Sequence, residues 1–383
     1  MTASAREMGQ AAETWSWAVP GQSGPPRSFS RRAGHALEWV RKNLFSTPFN
    51  GALTIVTVAL IAYVGQLLLR WAILDATLSG TSRAACHPEG ACWTFIKMRL
   101  PLFFVGRYPA DERWRVVAAL VVMIGFCWPV LRERHSRHRG LWLILLLTAC
   151  PLLVALLLLG GAPLLPYVDT SLWGGLMLDV LISFVTVAGA IPFGIALALG
   201  RRSSLPILRM LSIGFIELWR GVPLLTILFM SAVIVPLLLP NGVSADRLVR
   251  AMVALVLFNS AYMAEVIRGG LQGVPSGQNE AASSLGMRWW QVQAFVVLPQ
   301  AIRIALPGIV NTVVDLFKDV TLITIIGLTD LLGVVNQALK DPAWLGMARE
   351  GYVFAAFVFF ICCFLMSSYS RRLERRLNVH LRS

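Results

Sequence analysis

The chain has 383 residues, 56% of them hydrophobic and only 14% charged, with a formal net charge of +14. Soluble domains carry about a quarter of their residues as charge, disordered chains lack this much apolar content, and six cysteines are too few to staple so long a secreted scaffold. Arginines set among long aliphatic runs are not the footprint of a nucleic-acid binder; they indicate an all-α integral membrane protein with its basic excess on one face.

A helix crossing the hydrocarbon core needs about 20 mostly apolar residues, and about eight stretches qualify. Residues 1–46 precede them. With Arg27, Arg31, Arg32, Arg41, Lys42 and a Pro20 to Pro26 stretch rich in Pro and Gly, they read as a disordered cytoplasmic tail. They lack the apolar region and cleavage site of a signal peptide. Spans are then expected at Phe49 to Leu74, Arg115 to Leu131 and Gly140 to Gly160, which make a three-span extension over 47–165. The loop between the first two spans is mixed in sign and holds Cys86 and Cys92, which are either a disulfide in an oxidising compartment or two free thiols. No Cys or His stands at zinc-ligand spacing, so no metal is expected. A Gly/Pro-marked break at Gly160 to Pro166 leads into a second part, 166–383. Its five expected spans are Leu172 to Leu199, Leu211 to Leu239, Leu248 to Ile267, Gly308 to Leu332 and Tyr352 to Tyr369.

Positive residues remain on the cytoplasmic side of short loops. The tail, the Arg132 to Arg139 loop, Arg201 with Arg202 and Arg209, and the C-terminal Arg371, Arg372, Arg375, Arg376 and Arg382 alternate onto one face. The loops Gly161 to Ser171 and Pro240 to Ala245 have no Lys or Arg. Both termini are therefore placed in the cytoplasm, and the basic clusters suit anionic lipid.

Ionisable residues inside spans are costly and usually face a cavity, a partner or an opposite charge. Glu217 and Arg220 are three apart on one helical face, just before Gly221-Val222-Pro223 breaks the helix. They are either an ion pair or a gate. Asp179 is a pathway carboxylate or a partner for Arg220. Lys318 and Asp319 either line a substrate pathway, as a cation and an anion for a solute's opposite charges, or pair with Asp315 or a second subunit. Thr321 can add a hydroxyl contact. Glu265 and Arg268 close the sixth span.

Between the sixth and seventh spans, in a loop at 271–307, the chain reads Glu280-Ala281-Ala282, three residues, Gly286, nine residues, then Val296-Val297-Leu298-Pro299. Glu at a helix start suits the helix dipole, and Gly permits a left-handed turn into a second amphipathic piece. This resembles the EAA loop of bacterial ABC importer permeases, with Val296 in place of the usual Ile. Ile216 to Leu225, Ser260 to Gly270 and Phe317-Lys318-Asp319-Val320-Thr321-Leu322 followed by Ile326-Gly327-Leu328 resemble elements of the polar amino acid branch of that family. The long N-terminal part resembles the M-type permease of general L-amino acid importers.

The resemblance covers about Leu172 to Arg372. It implies a type I five-helix permease core behind the three-helix extension, sited in the bacterial inner membrane. It also implies an ATPase subunit gripping Glu280, Ala281, Ala282, Gly286, Leu298 and Pro299 as a coupling elbow, with Glu265 and Arg268 bracing it. A second, related permease chain in a heterodimer and a periplasmic amino acid-binding protein complete the assembly. Asp179 and Asp315 depart from the family's usual residues and bear on substrate range. No Gly-Lys dipeptide occurs, so no phosphate-binding P-loop can form. ATP and Mg are expected on the partner ATPase, and the chain is not expected to be an enzyme. The rival class is a secondary, ion-coupled amino acid transporter, which would show inverted repeats; no internal duplication is visible.

Overall fold

The computed structural model describes residues 38–131, 139–161, 163, 165–238, 240 and 245–379, which form helices joined by turns, with two isolated β-bridges. Residues 1–37 of the expected tail, the basic loop from Arg132 to His138 and Arg382 lie outside the described residues; residues 38–44 are helical.

The chain divides into two units, Met1–Leu74 and Asp75–Ser383. The first is built on helix α1, Pro48–Leu69, whose N-cap Thr47 accepts a hydrogen bond from the Asn50 N–H at 3.2 Å. That cap, with Pro in the first helical position, starts the helix cleanly. A π turn, Arg70–Leu74, continues it. Nearly all its side chains are exposed and apolar, as a lipid-facing helix requires.

The second unit opens with a segment that was expected to be loop but contains a helix, α2, Trp93–Val105. Cys86 and Cys92 are joined in a disulfide just before it. The Cys92 N–H donates to Glu350 Oε1 at 3.2 Å, and Arg99 pairs with Asp341. Phe95, Ile96 and Phe103 pack against Leu331, Val334, Val335 and Trp344 from the far end of the chain. Next come α3, Trp114–Leu131, α4, Arg139–Leu147, and α5, Ala149–Leu159. The last two make one span-length segment interrupted at Thr148, whose hydroxyl donates back to the Ile144 carbonyl at 2.7 Å. The Tyr108 hydroxyl donates to the Leu158 carbonyl at 2.8 Å, and burial raises its pKa, so it stays a donor. Fully buried Arg115 pairs with Glu112 at 2.7 Å and donates to the Pro166 carbonyl at 2.8 Å. Residues 75–165 thus pack in the same unit as the 166–383 segment, and the expected boundary at 165 is not a break in packing.

Then follow α6, Gly175–Arg201, α7, Pro206–Gly221, α8, Leu224–Leu238, and α9, Arg247–Gln272. A short helix α10, Ser276–Ser284, leads to α11, Trp289–Gln291, which runs through a π turn, Val292–Val297, into α12, Leu298–Asp319. A 3₁₀ turn, Val320–Ile326, precedes α13, Leu331–Ala338, and α14, Ala348–Val379, ends the fold. The centre is α9, capped by Asp246 through the Leu248 and Val249 N–H groups at 2.7 and 3.2 Å. It lies between α6 and α12 and approaches α12 closely: a Cβ on Gly270 would stand 2.3 Å from the Ala301 carbonyl oxygen.

Among the described residues six helices are long and apolar enough to cross a membrane, or seven if α7 and α8 count as one span bent by 97°. Two expected spans change. The stretch Leu211 to Leu239 is broken at Val222–Pro223, where proline has no N–H to continue the ladder. The stretch Gly308 to Leu332 begins earlier, at Leu298, and ends at Asp319 before the 3₁₀ turn; α12 carries Arg303, Asp315, Lys318 and Asp319. The all-α membrane architecture stands.

Candidate functional site

The Glu280 to Pro299 stretch folds as an elbow of two short helices. Its corner has a defined hydrogen-bond pattern: α10 ends with the Gly286 N–H on the Ser283 carbonyl at 3.0 Å and the Met287 N–H on the Ala282 carbonyl at 3.3 Å. This Schellman arrangement needs a left-handed residue after the cap, and Gly286 supplies it with φ +78°. The second arm is closed by Gln291 Oε1, which accepts from the Arg288 N–H at 2.8 Å. Ala282, 5% exposed, anchors the elbow in an apolar cluster with Leu197, Ile216, Met263, Ile267, Val292 and Val297. Glu280, Ala281, Leu285, Trp289, Trp290 and Phe295 remain exposed on the elbow itself. Pro299 occupies the first turn of α12, where its missing N–H costs nothing.

Beside the elbow, three arginines from three helices converge on one acid. Glu265 Oε1 takes Arg201 of α6 at 2.7 Å, and Oε2 takes Arg268 at 2.7 and 3.0 Å. Arg220 of α7 lies 3.9 Å from the same oxygen, with its guanidinium 5.6 Å from the Tyr262 ring centroid. Arg201 also reaches Glu217 at 3.3 Å. Arg202 donates to the Leu271 carbonyl at 3.2 Å, which satisfies a free acceptor near the C-terminus of α9. Glu217 and Arg220, read as either an ion pair or a gate, are linked among the described residues through Arg201 and Glu265. Because their side chains come from α6, α7 and α9, any relative movement of these helices must strain or break the hub.

Tyr262 also lines an open cleft of about 480 Å³ between α9 and α12, with Phe258, Asn259, Thr312, Asp315, Lys318 and Asp319. Lys318 Nζ sits 2.8 Å from Asp315 Oδ1. The cleft thus brings a cation, two carboxylates, an amide and hydroxyls to one place, the donor and acceptor set a zwitterion needs. The hub and the cleft meet at Tyr262.

Two expected site residues go elsewhere. Thr321 donates its hydroxyl to the Lys318 carbonyl at 2.8 Å, capping the end of α12 rather than lining the cleft. Asp179 is fully buried at the opposite end of α6 and accepts from the Leu331 N–H at 3.0 Å, beside Asp330. It meets neither Arg220 nor the cleft. Pro223 forms the corner between α7 and α8. Sequence reasoning missed Arg201 as a hub residue, having read it as a marker of orientation, and missed Asn259 and Tyr262 as cleft lining.

Residues 190–379 match the family described as binding-protein-dependent transport system inner membrane component. The inner membrane amino-acid ABC transporter permease protein YhdY of Escherichia coli K12 is 50% identical over 360 residues, covering 93% of this chain and 97% of its own. The glutamate/glutamine/aspartate/asparagine transport system permease protein BztC of Rhodobacter capsulatus is 36% identical over 407 residues, with coverage of 89% and 94%. A crystal structure of an amino acid ABC transporter with histidines shares 30% identity over 53% of this chain and 92% of that one, at a TM-score of 0.47.

Proposed function

Given that this chain belongs to the binding-protein-dependent transport family of inner membrane components, we propose that it is the membrane-spanning permease of an ATP-binding-cassette importer for L-amino acids. The elbow carries the reading. It projects a rigid, Gly286-cornered knob with exposed Leu285, Trp289 and Trp290, and is rooted through Ala282 in the helices that bear the charge hub. Such a knob fits a cleft on a separate ATPase subunit, which would hold ATP and Mg.

In this mechanism a periplasmic binding protein hands the amino acid to the face opposite the elbow. The permease and a second, related permease chain form one pathway, with both termini of this chain cytoplasmic. Closure of the ATPases pulls the elbows. Movement of Ala282, Val292 and Val297 passes to α6, α7 and α9, where the Glu265 hub rearranges, and the Lys318 cleft changes its access. ATP must favour one facing state over the other by a differential free energy, since equal affinity for both shifts nothing.

The test is reconstitution in nanodiscs with the candidate ATPase, second permease and binding protein. The amino acid-loaded binding protein should raise ATP hydrolysis several-fold over the unloaded one. No stimulation by any loaded amino acid would overturn the importer reading.

A further inference from the structure

The α9–α12 cleft holds a charge that its own lining does not cancel. Lys318 is matched by Asp315 at 2.8 Å, one turn away on α12, while Asp319 lines the same cleft. Asn259, Tyr262 and Thr312 contribute neutral groups only. One cation therefore faces two carboxylates. The side chains of Asp315 and Lys318 are 67% and 55% exposed, so both are open to a solute rather than consumed in packing.

We infer that the cleft filters amino acids by side-chain charge, accepting neutral and cationic side chains and disfavouring acidic ones, with Asp315 as the discriminating residue. This rests on the proposed role of the cleft as the amino acid's binding place. The backbone of any amino acid uses one cation and one anion. Its carboxylate takes Lys318, and its ammonium takes Asp319, the less exposed of the two aspartates. The other aspartate is left facing the side chain. A neutral side chain leaves that carboxylate hydrated, and a cationic one gives it a partner. An acidic side chain brings a like charge to within several ångströms, a repulsion that selects against the wrong ligand without any new attraction to the right one. For like charges about 7 Å apart at an effective dielectric of about 20, screened by the water of an open cleft, the discrimination is about tenfold.

The test uses the whole importer in nanodiscs, with its ATPase and second permease but without the binding protein, so that the selectivity of the binding protein does not enter. Equilibrium binding of radiolabelled glutamine, lysine and glutamate is measured for wild type, Asp315→Asn and Asp315→Glu. Wild type should bind glutamate about tenfold more weakly than glutamine. Asp315→Asn should bring glutamate to within about threefold of glutamine and weaken lysine, whereas Asp315→Glu should keep the wild-type order. Equal binding of glutamate and glutamine by wild type, or an unchanged order in Asp315→Asn, overturns the filter and leaves the cleft as a binding place. Absence of saturable binding by all three amino acids overturns the assignment of the cleft, and the filter with it.

Discussion

Replacing Glu265 by Ala perturbs the hub at its centre. The wild-type carboxylate accepts from Arg201 at 2.7 Å and Arg268 at 2.7 and 3.0 Å, lies 3.9 Å from Arg220, and is 17% exposed. Without it, the acid that remains beside the three guanidiniums among the described residues is Glu217, which pairs with Arg201 at 3.3 Å and is 58% exposed. An ion pair at about 4 Å amounts to about 4 kcal/mol at an effective dielectric of about 20, before desolvation is subtracted. Exposed pairs net about 0–1 kcal/mol, and breaking a fully buried one costs about 3–5 kcal/mol. Glu265 lies between those limits, so Glu265→Ala should cost about 2–3 kcal/mol. Glu217→Ala should cost less than about 0.5 kcal/mol. Denaturant titration of the purified protein in mixed micelles measures both, and a double-mutant cycle with Arg201→Ala should give a coupling of about 1–2 kcal/mol. In the reconstituted importer, Glu265→Ala should also raise the ATP consumed per amino acid taken up. If Glu217→Ala costs as much as Glu265→Ala, the hub is not centred on Glu265 and the reasoning fails.

Three further substitutions test the elbow, the helix contact and the extension. Gly286→Ala forces an L side chain to φ +78°, at about 1–2 kcal/mol; open space around the new Cβ lets the protein fold, so ATP hydrolysis should persist while uptake falls. Unchanged uptake would remove the elbow from the coupling path. Gly270→Ala places a Cβ 2.3 Å from the Ala301 carbonyl oxygen and should destabilise by about 2–3 kcal/mol, whereas Gly269→Ala, with nothing within 4 Å, should stay within about the 1 kcal/mol of ordinary Gly/Ala helix differences. Equal melting of the two variants would contradict the close approach of α9 and α12. Removing the Cys86–Cys92 disulfide by double Ser substitution opens a short loop with a sequence separation of 6 and should cost about 2 kcal/mol by chain entropy. A melting temperature unaffected by that substitution and by reductant would show that the loop is held by α2 packing alone.

What the sequence made legible was whatever is decided within a few residues. The elbow's corner belongs to this class: a Schellman turn needs Gly at one fixed offset from the helix end, so Gly286 read correctly as the corner, although the helix before it starts at Ser276 and holds Glu280 at its middle rather than at its start. Long apolar runs such as Pro48–Leu74 and Gly175–Arg201 were equally plain. Apolar length, however, is blind to two things. It does not register a proline that splits a run, as at Pro223, and it passes over a helix whose charges are answered by protein, as in α2, where Arg99 meets Asp341. For the same reason α12, carrying the cleft's Asp315, Lys318 and Asp319, was drawn too late and too long.

The hub shows where local spacing misleads. Glu217 and Arg220 stand at i and i+3, the separation at which a helix brings side chains together; Glu265 and Arg268 use that spacing at 2.7 Å, yet the other 2.7 Å bond to Glu265 comes from Arg201, 64 residues away, which also takes Glu217. Whether a basic residue at a helix end marks orientation or carries a mechanical link depends on which helix packs beside it. Arg201, read from the sequence as a marker of orientation, has two carboxylates within 3.3 Å. The same charge can serve both roles, because the end of α6 that carries Arg201 packs beside the end of α9, from which the elbow departs.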